Sequence, residues 1–260
     1  MDKDIRKKMK QELMKEYNMS AFDTELLMER LDSVGACSYA AAANDIISYF
    51  RYKPNQFEKI FGFPLYTINS SGSYAINCAR LLADMYIWFN SVENDGKLFH
   101  KDDGKLKCDE YDFSKQNYVW IEWNRPRIED YIRSKTSSIV CENTYLSSLI
   151  RNMSNIYIEN IKKITDIVKA EVAWYLNFRM GVTLYIEKNN SNIRFIDTDT
   201  GEIYISTFTW NEGAAHIVKV TEMTNTGFIV STWGKRCLVP FEDLEKSKGF
   251  DIYITTFREK

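Results

Sequence analysis

After Gly181 the hydrophobic period of this chain changes, and the change limits what it can fold into more than any other feature. Residues 182–187, 192–197 and 203–208 are runs of β-branched and aromatic residues, separated by Asn189-Asn190 and by Asp199-Thr200-Gly201. Such runs suit a pleated, half-buried surface, and the separators are turn sequences. Residues 216–222, 228–233 and 251–257 continue the pattern, with a brief strand over 236–239 and a helical turn over 240–244. Connections this short predict a mostly antiparallel, twisted sheet.

Upstream the spacing is helical. Ile5, Met9, Leu13 and Met14 predict an amphipathic helix over 3–17, and residues 22–31 a second, shorter one. Residues 51–67, broken by Pro54, Gly62 and Pro64, read as irregular. Ser70 to Ser73 would cap a buried helix over 74–89 that holds Cys78 in the core. Residues 90–117 turn polar, with Asn94-Asp95-Gly96 and Asp102-Asp103-Gly104 as turns and His100 as a surface histidine. From 126 to 180 the pattern is again helical, through Ile128, Tyr131 and Ile132 and then Ile156, Ile161, Ile164, Ile167, Val168, Val172 and Leu176, ending at Gly181. The fold class expected is α+β: one domain over 1–260, mainly helical over 1–180 and an antiparallel sheet over 181–260.

Composition excludes several function classes. The 34 basic and 36 acidic residues leave a formal net charge of -2, so no global field favours nucleic acid or an anionic membrane. The first ten residues are charged, and no apolar run approaches the roughly 18 residues of a membrane span. Five widely spaced cysteines without a CxxC pair suit a reducing compartment, with neither a zinc nor a redox motif. The expectation is a protein without cofactor or metal, cytoplasmic as written or a delivered domain of a larger secreted protein.

Two residues carry chemistry. In Gly35-Ala36-Cys37-Ser38-Tyr39 followed by Ala40 to Ala43, Ile46 and Ile47, the glycine can break from the preceding segment and the alanines begin a slim helix. Cys37 then falls in its first turn, where unpaired N–H groups and the positive end of the helix dipole favour thiolate. His216 opens the strand around Ile217, Val218, Lys219 and Val220; alternation puts it on the inward face with Val218 and Val220, and Lys219 on the opposite, wetter face. A helix-start thiol and an imidazole from a distant sheet are what a thiol hydrolase needs, the imidazole taking the thiol proton and returning it to the leaving group.

The order Gly35-Ala36-Cys37-Ser38-Tyr39-Ala40, then Gly213-Ala214-Ala215-His216-Ile217-Val218, then Ser231-Thr232-Trp233-Gly234 resembles the papain-like cysteine peptidase superfamily. The resemblance implies a nucleophile (Cys37) opening a central helix, a histidine (His216) opening a sheet strand, an orienting residue where Ser231 replaces the family's Asn, and Trp233 covering the pair. Asp197 or Asp199 could supply a carboxylate instead. The family's oxyanion-hole Gln is absent from Glu29 to Val34, which leaves the Cys37 N–H as the one donor assigned. The implied function is a cysteine protease acting on protein or peptide substrate. Glutamine deamidase, transglutaminase, or a catalytically degenerate protein-binding module are the alternatives, and a bacterial toxin or effector the implied context.

Overall fold

The structure, a computed structural model, describes residues 3–32, 37–91, 98–109, 126–154, 163–187, 192–205, 215–232, 234–247 and 249–260. Gly35, Ala36, Ile156, Ile161, the Asn189-Asn190 turn, Gly213, Ala214 and Trp233 lie outside the described residues. The chain divides into two compact units: residues 1–39 with 50–137, and residues 40–49 with 138–260.

The first unit is mainly helical. Helix α1 (Lys3–Glu16) and α2 (Ala21–Asp32) bury Met9, Leu13, Leu27 and Met28 in a core shared with Ala83 and Ile87 of α5 (Cys78–Phe89). The stretch read as irregular holds α4 (Pro54–Phe61), and its two breakers are that helix's ends. Pro54 has no N–H to lose in the first turn, while Gly62 takes the left-handed conformation (φ +81°) that returns its N–H to the Glu58 carbonyl. Residues 74–76 are likewise not helical: β2 (Tyr74–Ile76) pairs with β1 (Tyr66–Ile68), and the buried helix begins only at Cys78. Asn77, not the serines, stands at its N-cap. Strands β3 (Phe99–Asp102) and β4 (Lys105–Cys108) form the hairpin that Asp103-Gly104 predicts, both residues at positive φ. Helix α6 (Pro126–Lys135) adds Ile128, Tyr131 and Ile132, all buried.

The second unit is built on an eight-stranded sheet in the order β5-β12-β6-β9-β10-β11-β7-β8, antiparallel at every described pairing. Its strands are β5 (Ile139–Tyr145), β6 (Gly181–Glu187), β7 (Arg194–Asp197), β8 (Ile203–Ile205), β9 (Ala215–Met223), β10 (Gly227–Thr232), β11 (Lys235–Pro240) and β12 (Phe250–Glu259). Strand β5 lies inside the segment read as helical; Ile139, Cys141 and Asn143 are buried at period two. The sheet therefore draws its outer strand from before residue 181. Helices α7 (Leu146–Ser154), α8 (Asp166–Asn177) and α9 (Phe241–Ser247) belong to the same unit, and Leu146, Ile150, Val168, Val172 and Leu244 share a core with Val182, Leu184, Val218, Val230 and Ile252 of the sheet.

Helix α3 (Cys37–Phe50) contributes its residues 40–49 to this unit, on the other face of the sheet. Gly181 does not stop a helix: α8 ends at Asn177 with Phe178 as its C-cap, and Arg179 takes the left-handed turn (φ +57°). What Gly181 provides is closeness, since a β-carbon there would lie 2.5 Å from the Asp45 carboxyl carbon and 2.7 Å from Thr255 Cβ. Gly181→Ala is accordingly expected to cost about 1–3 kcal/mol through overpacking, read as a lower urea midpoint. A midpoint unchanged from the parent would show that α3 can lift off at no cost.

Candidate active site

Cys37 is the first residue of α3 and is half-buried. The turn that carries it is held in the first unit: Tyr39, two residues on, packs on Tyr86 and Phe89 with ring centroids 5.1 and 5.4 Å away, and its hydroxyl oxygen accepts from Asn90 Nδ2 at 3.0 Å. Buried Ser38 and Ala41 to Ala43 keep this helix slim. Burial pushes the Cys78 and Cys108 thiols up to about 11 and also raises that of Cys237. Cys78 itself is half-buried rather than enclosed.

Within the second unit, α3 is locked onto the sheet by charge. Lys219 Nζ pairs with Asp45 Oδ1, and Thr183 Oγ1 donates to Asp45 Oδ2 at 3.3 Å. The two charged side chains are 7% and 2% exposed. This corrects the expectation that Lys219 faces water: alternation does place it opposite Val218 and Val220, but α3 covers that face too. One turn after Asp45, Tyr49 stacks on Phe257 at 4.9 Å. Asp45 lies at the level of Gly181 and Thr183, which pair with Thr255 and Tyr253, so residues 40–49 run in the direction of β12. The N-terminal end of this segment therefore points toward the end of the sheet where β9 begins, Ile186 pairing there with His216.

His216 belongs to the second unit and is 4% exposed. It lies inward with Val218 and Val220, as its spacing predicts, on the face away from Lys219 and Asp45. Its ring packs edge-on against Phe195 at 5.6 Å, and Nε2 lies 2.9 Å from Thr232 Oγ1. Burial lowers its pKa to about 4, so the imidazole is neutral near pH 7.

Ser231 does not orient this ring. It stands directly opposite Lys219 in the β9–β10 pairing, and directly opposed residues share a face, so its side chain leaves the sheet on the side away from His216. The hydroxyl that reaches the imidazole is that of Thr232, one residue on. The carboxylate alternatives are engaged elsewhere. Asp197 accepts the backbone N–H groups of Asp199 and Thr200 at 2.9 and 3.1 Å, which hold it below the usual carboxylate range, and lies 3.2 Å from Lys235 Nζ. Asp199 is an exposed turn residue. His100 sits half-exposed on β3, with Nδ1 3.4 Å from an Asp109 carboxylate oxygen.

Among the described residues no group of three or more His, Cys, Asp or Glu side chains could hold a metal ion, and no helix is long and apolar enough to cross a membrane. No protein-family model, curated protein or solved structure matches this chain.

Proposed function

We propose that the chain is a thiol-dependent amide hydrolase of papain-like type, a cysteine protease with Cys37 as nucleophile and His216 as acid and base. The observation that carries this is Cys37 as the half-buried first residue of α3, where helix-start N–H groups and the helix dipole favour thiolate. His216 leaves the sheet on the face away from residues 40–49 of that helix, so the pairing itself is what the alkylation experiment tests. In the reaction, the Cys37 thiolate adds to a substrate carbonyl and the Cys37 N–H donates to the developing oxyanion. The C–N bond breaks as the imidazolium protonates the leaving nitrogen, and water then hydrolyses the thioester. With a glutamine side chain as acyl donor the same steps release ammonia. Thr232, rather than Ser231, is the orienting hydroxyl. A bacterial toxin or effector is the setting such an enzyme would fit.

A second reading, a papain-like binding module without turnover, is favoured by the burial of His216 against Phe195 and its lowered pKa, because an imidazole that stays neutral cannot pair with a thiolate as its cation.

The deciding experiment is alkylation of Cys37 by iodoacetamide as a function of pH, assigned by peptide mapping, in the native chain and in urea. The hydrolase requires a native inflection well below the roughly 8.5 of an ordinary thiol, moved upward in His216→Asn, together with loss of any amide-cleaving activity in Cys37→Ala. An inflection at or above the value in urea, unaffected by the His216 change, establishes the binding module.

A further inference from the structure

Helix α3 begins at Cys37, and what its first turn rests on decides whether that turn stays wound. The first N–H groups of a helix lack intrahelical partners, and helix ends fray. The dipole acts on a neighbouring charge only within the first turn. A thiolate at Cys37 therefore gains from the helix only while the residues that follow it keep helical geometry.

Tyr39 fastens this turn. It is buried, and its ring lies against both Tyr86 and Phe89, which stand three residues apart on one face of α5. Its hydroxyl oxygen takes an N–H of the Asn90 amide at 3.0 Å, and the same Nδ2 donates to the Tyr86 carbonyl at 2.9 Å. A side-chain amide has two such N–H groups to give, whereas a carboxylate has none. Asn90 is itself held in place. It is the C-cap of α5, its backbone N–H returns to the Tyr86 carbonyl at 3.1 Å, and its carbonyl accepts from Leu98 at 3.2 Å and from Phe99 at 3.1 Å. Cys37, Tyr39, Tyr86, Phe89 and Asn90 all belong to the first unit, so this support lies within one compact body.

We propose that Tyr39 and Asn90 are positioning residues for the Cys37 nucleophile, their hydrogen bond keeping the first turn of α3 wound so that its N–H groups and dipole act on the sulfur. This role rests on the hydrolase reading, which gives Cys37 its part in the chemistry. Both side chains act through the helix and need not touch substrate.

Alkylation of Cys37 by iodoacetamide against pH tests it, in the full chain, in Tyr39→Phe, in Asn90→Ala and in the double variant. Tyr39→Phe keeps the ring packing and removes only the hydroxyl, so it retains the fold even if Asn90→Ala does not. Each single change is expected to raise the inflection by about half a pH unit or more, toward the roughly 8.5 of an ordinary thiol. The double variant raises it no further than the larger single one, because both changes break the same bond. Met9→Ala, in the core of the same unit, separates positioning from stability: it lowers the urea midpoint and leaves the inflection in place. A low parental inflection that Tyr39→Phe leaves unchanged, shifts that add in the double variant, or an equal shift in Met9→Ala overturns the positioning role and leaves the hydrolase reading standing. A parental inflection at or above that of the chain in urea overturns both.

Discussion

Replacing Lys219 with methionine is expected to destabilise the protein by about 3–5 kcal/mol, because it leaves the Asp45 carboxylate buried without its counter-charge. Methionine keeps nearly the same length and bulk, so the loss reports charge rather than a cavity. Of the side-chain partners described, Asp45 would retain the Thr183 hydroxyl, with its own side chain only 2% exposed between α3 and the sheet. Restoring neutrality should reverse most of the effect: in Asp45→Asn with Lys219→Met, the amide matches the carboxylate's shape, preserves the close approach over Gly181, and carries no charge to desolvate. Urea midpoints of the parent, both single variants and the double variant complete the cycle, with a coupling of about 2 kcal/mol or more between two residues in direct contact. A Lys219→Met protein within about 0.5 kcal/mol of the parent would mean that water reaches the pair, as at an exposed ion pair. The pair also makes the attachment of α3 to the sheet specific, since sliding α3 along the sheet would separate Asp45 from Lys219 and Thr183.

Much of this arrangement is legible in the sequence, for identifiable reasons. The strands after Gly181 announce themselves because each is a β-branched run closed by a turn sequence, and nothing nearby competes with that pattern. The start of α3 is legible because alanines favour a helix and Cys37 is the first of its residues. Pro54 and Gly62 are legible as breakers but ambiguous in sense, because the same two residues that interrupt a loop also begin and end a helix. Strand β5 is hidden because helical patterns flank it on both sides and its alternation spans only Ile139 to Tyr145. Lys219 is misread for a deeper reason: alternation reports which face a residue occupies, and the covering of that face by α3 is a tertiary fact. Thr232 was available to the same rule that misplaces Ser231. With His216 and Lys219 on opposite faces of β9, whichever residue of β10 opposes Lys219 cannot reach the imidazole, and only the pairing register says that this residue is Ser231.

The second large effect, which the binding-module reading requires and a thiolate–imidazolium pair would abolish, is an acid destabilisation traceable to His216. The ring's pKa is about 4 in the folded chain against 6.5 for an ordinary histidine, and burial is the cause. Above pH 6.5 neither folded nor unfolded chains carry the proton, so the full stability is present. As the pH falls through 6.5 the unfolded chain binds a proton that the folded chain refuses, and stability declines until the folded ring also titrates near 4. Across that window the loss amounts to about 3 kcal/mol. His216→Asn cannot take up the proton, so its unfolding free energy should lack this component even if its absolute stability is lower; the slope against pH, not the midpoint, is the quantity compared. Unfolding curves at several values between about pH 4 and pH 7 supply it, and the histidine ring's own titration by NMR supplies the folded pKa independently. Equal slopes in the two proteins, with a ring that titrates above 6.5, would mean that an anion stabilises the imidazolium in the native chain. The Cys37 thiolate is the anion that the hydrolase requires in that role. A ring that stays neutral down to about pH 4 while Cys37 behaves as an ordinary thiol gives His216 a structural part, bonded to Thr232 and packed on Phe195, and leaves the fold to act through binding.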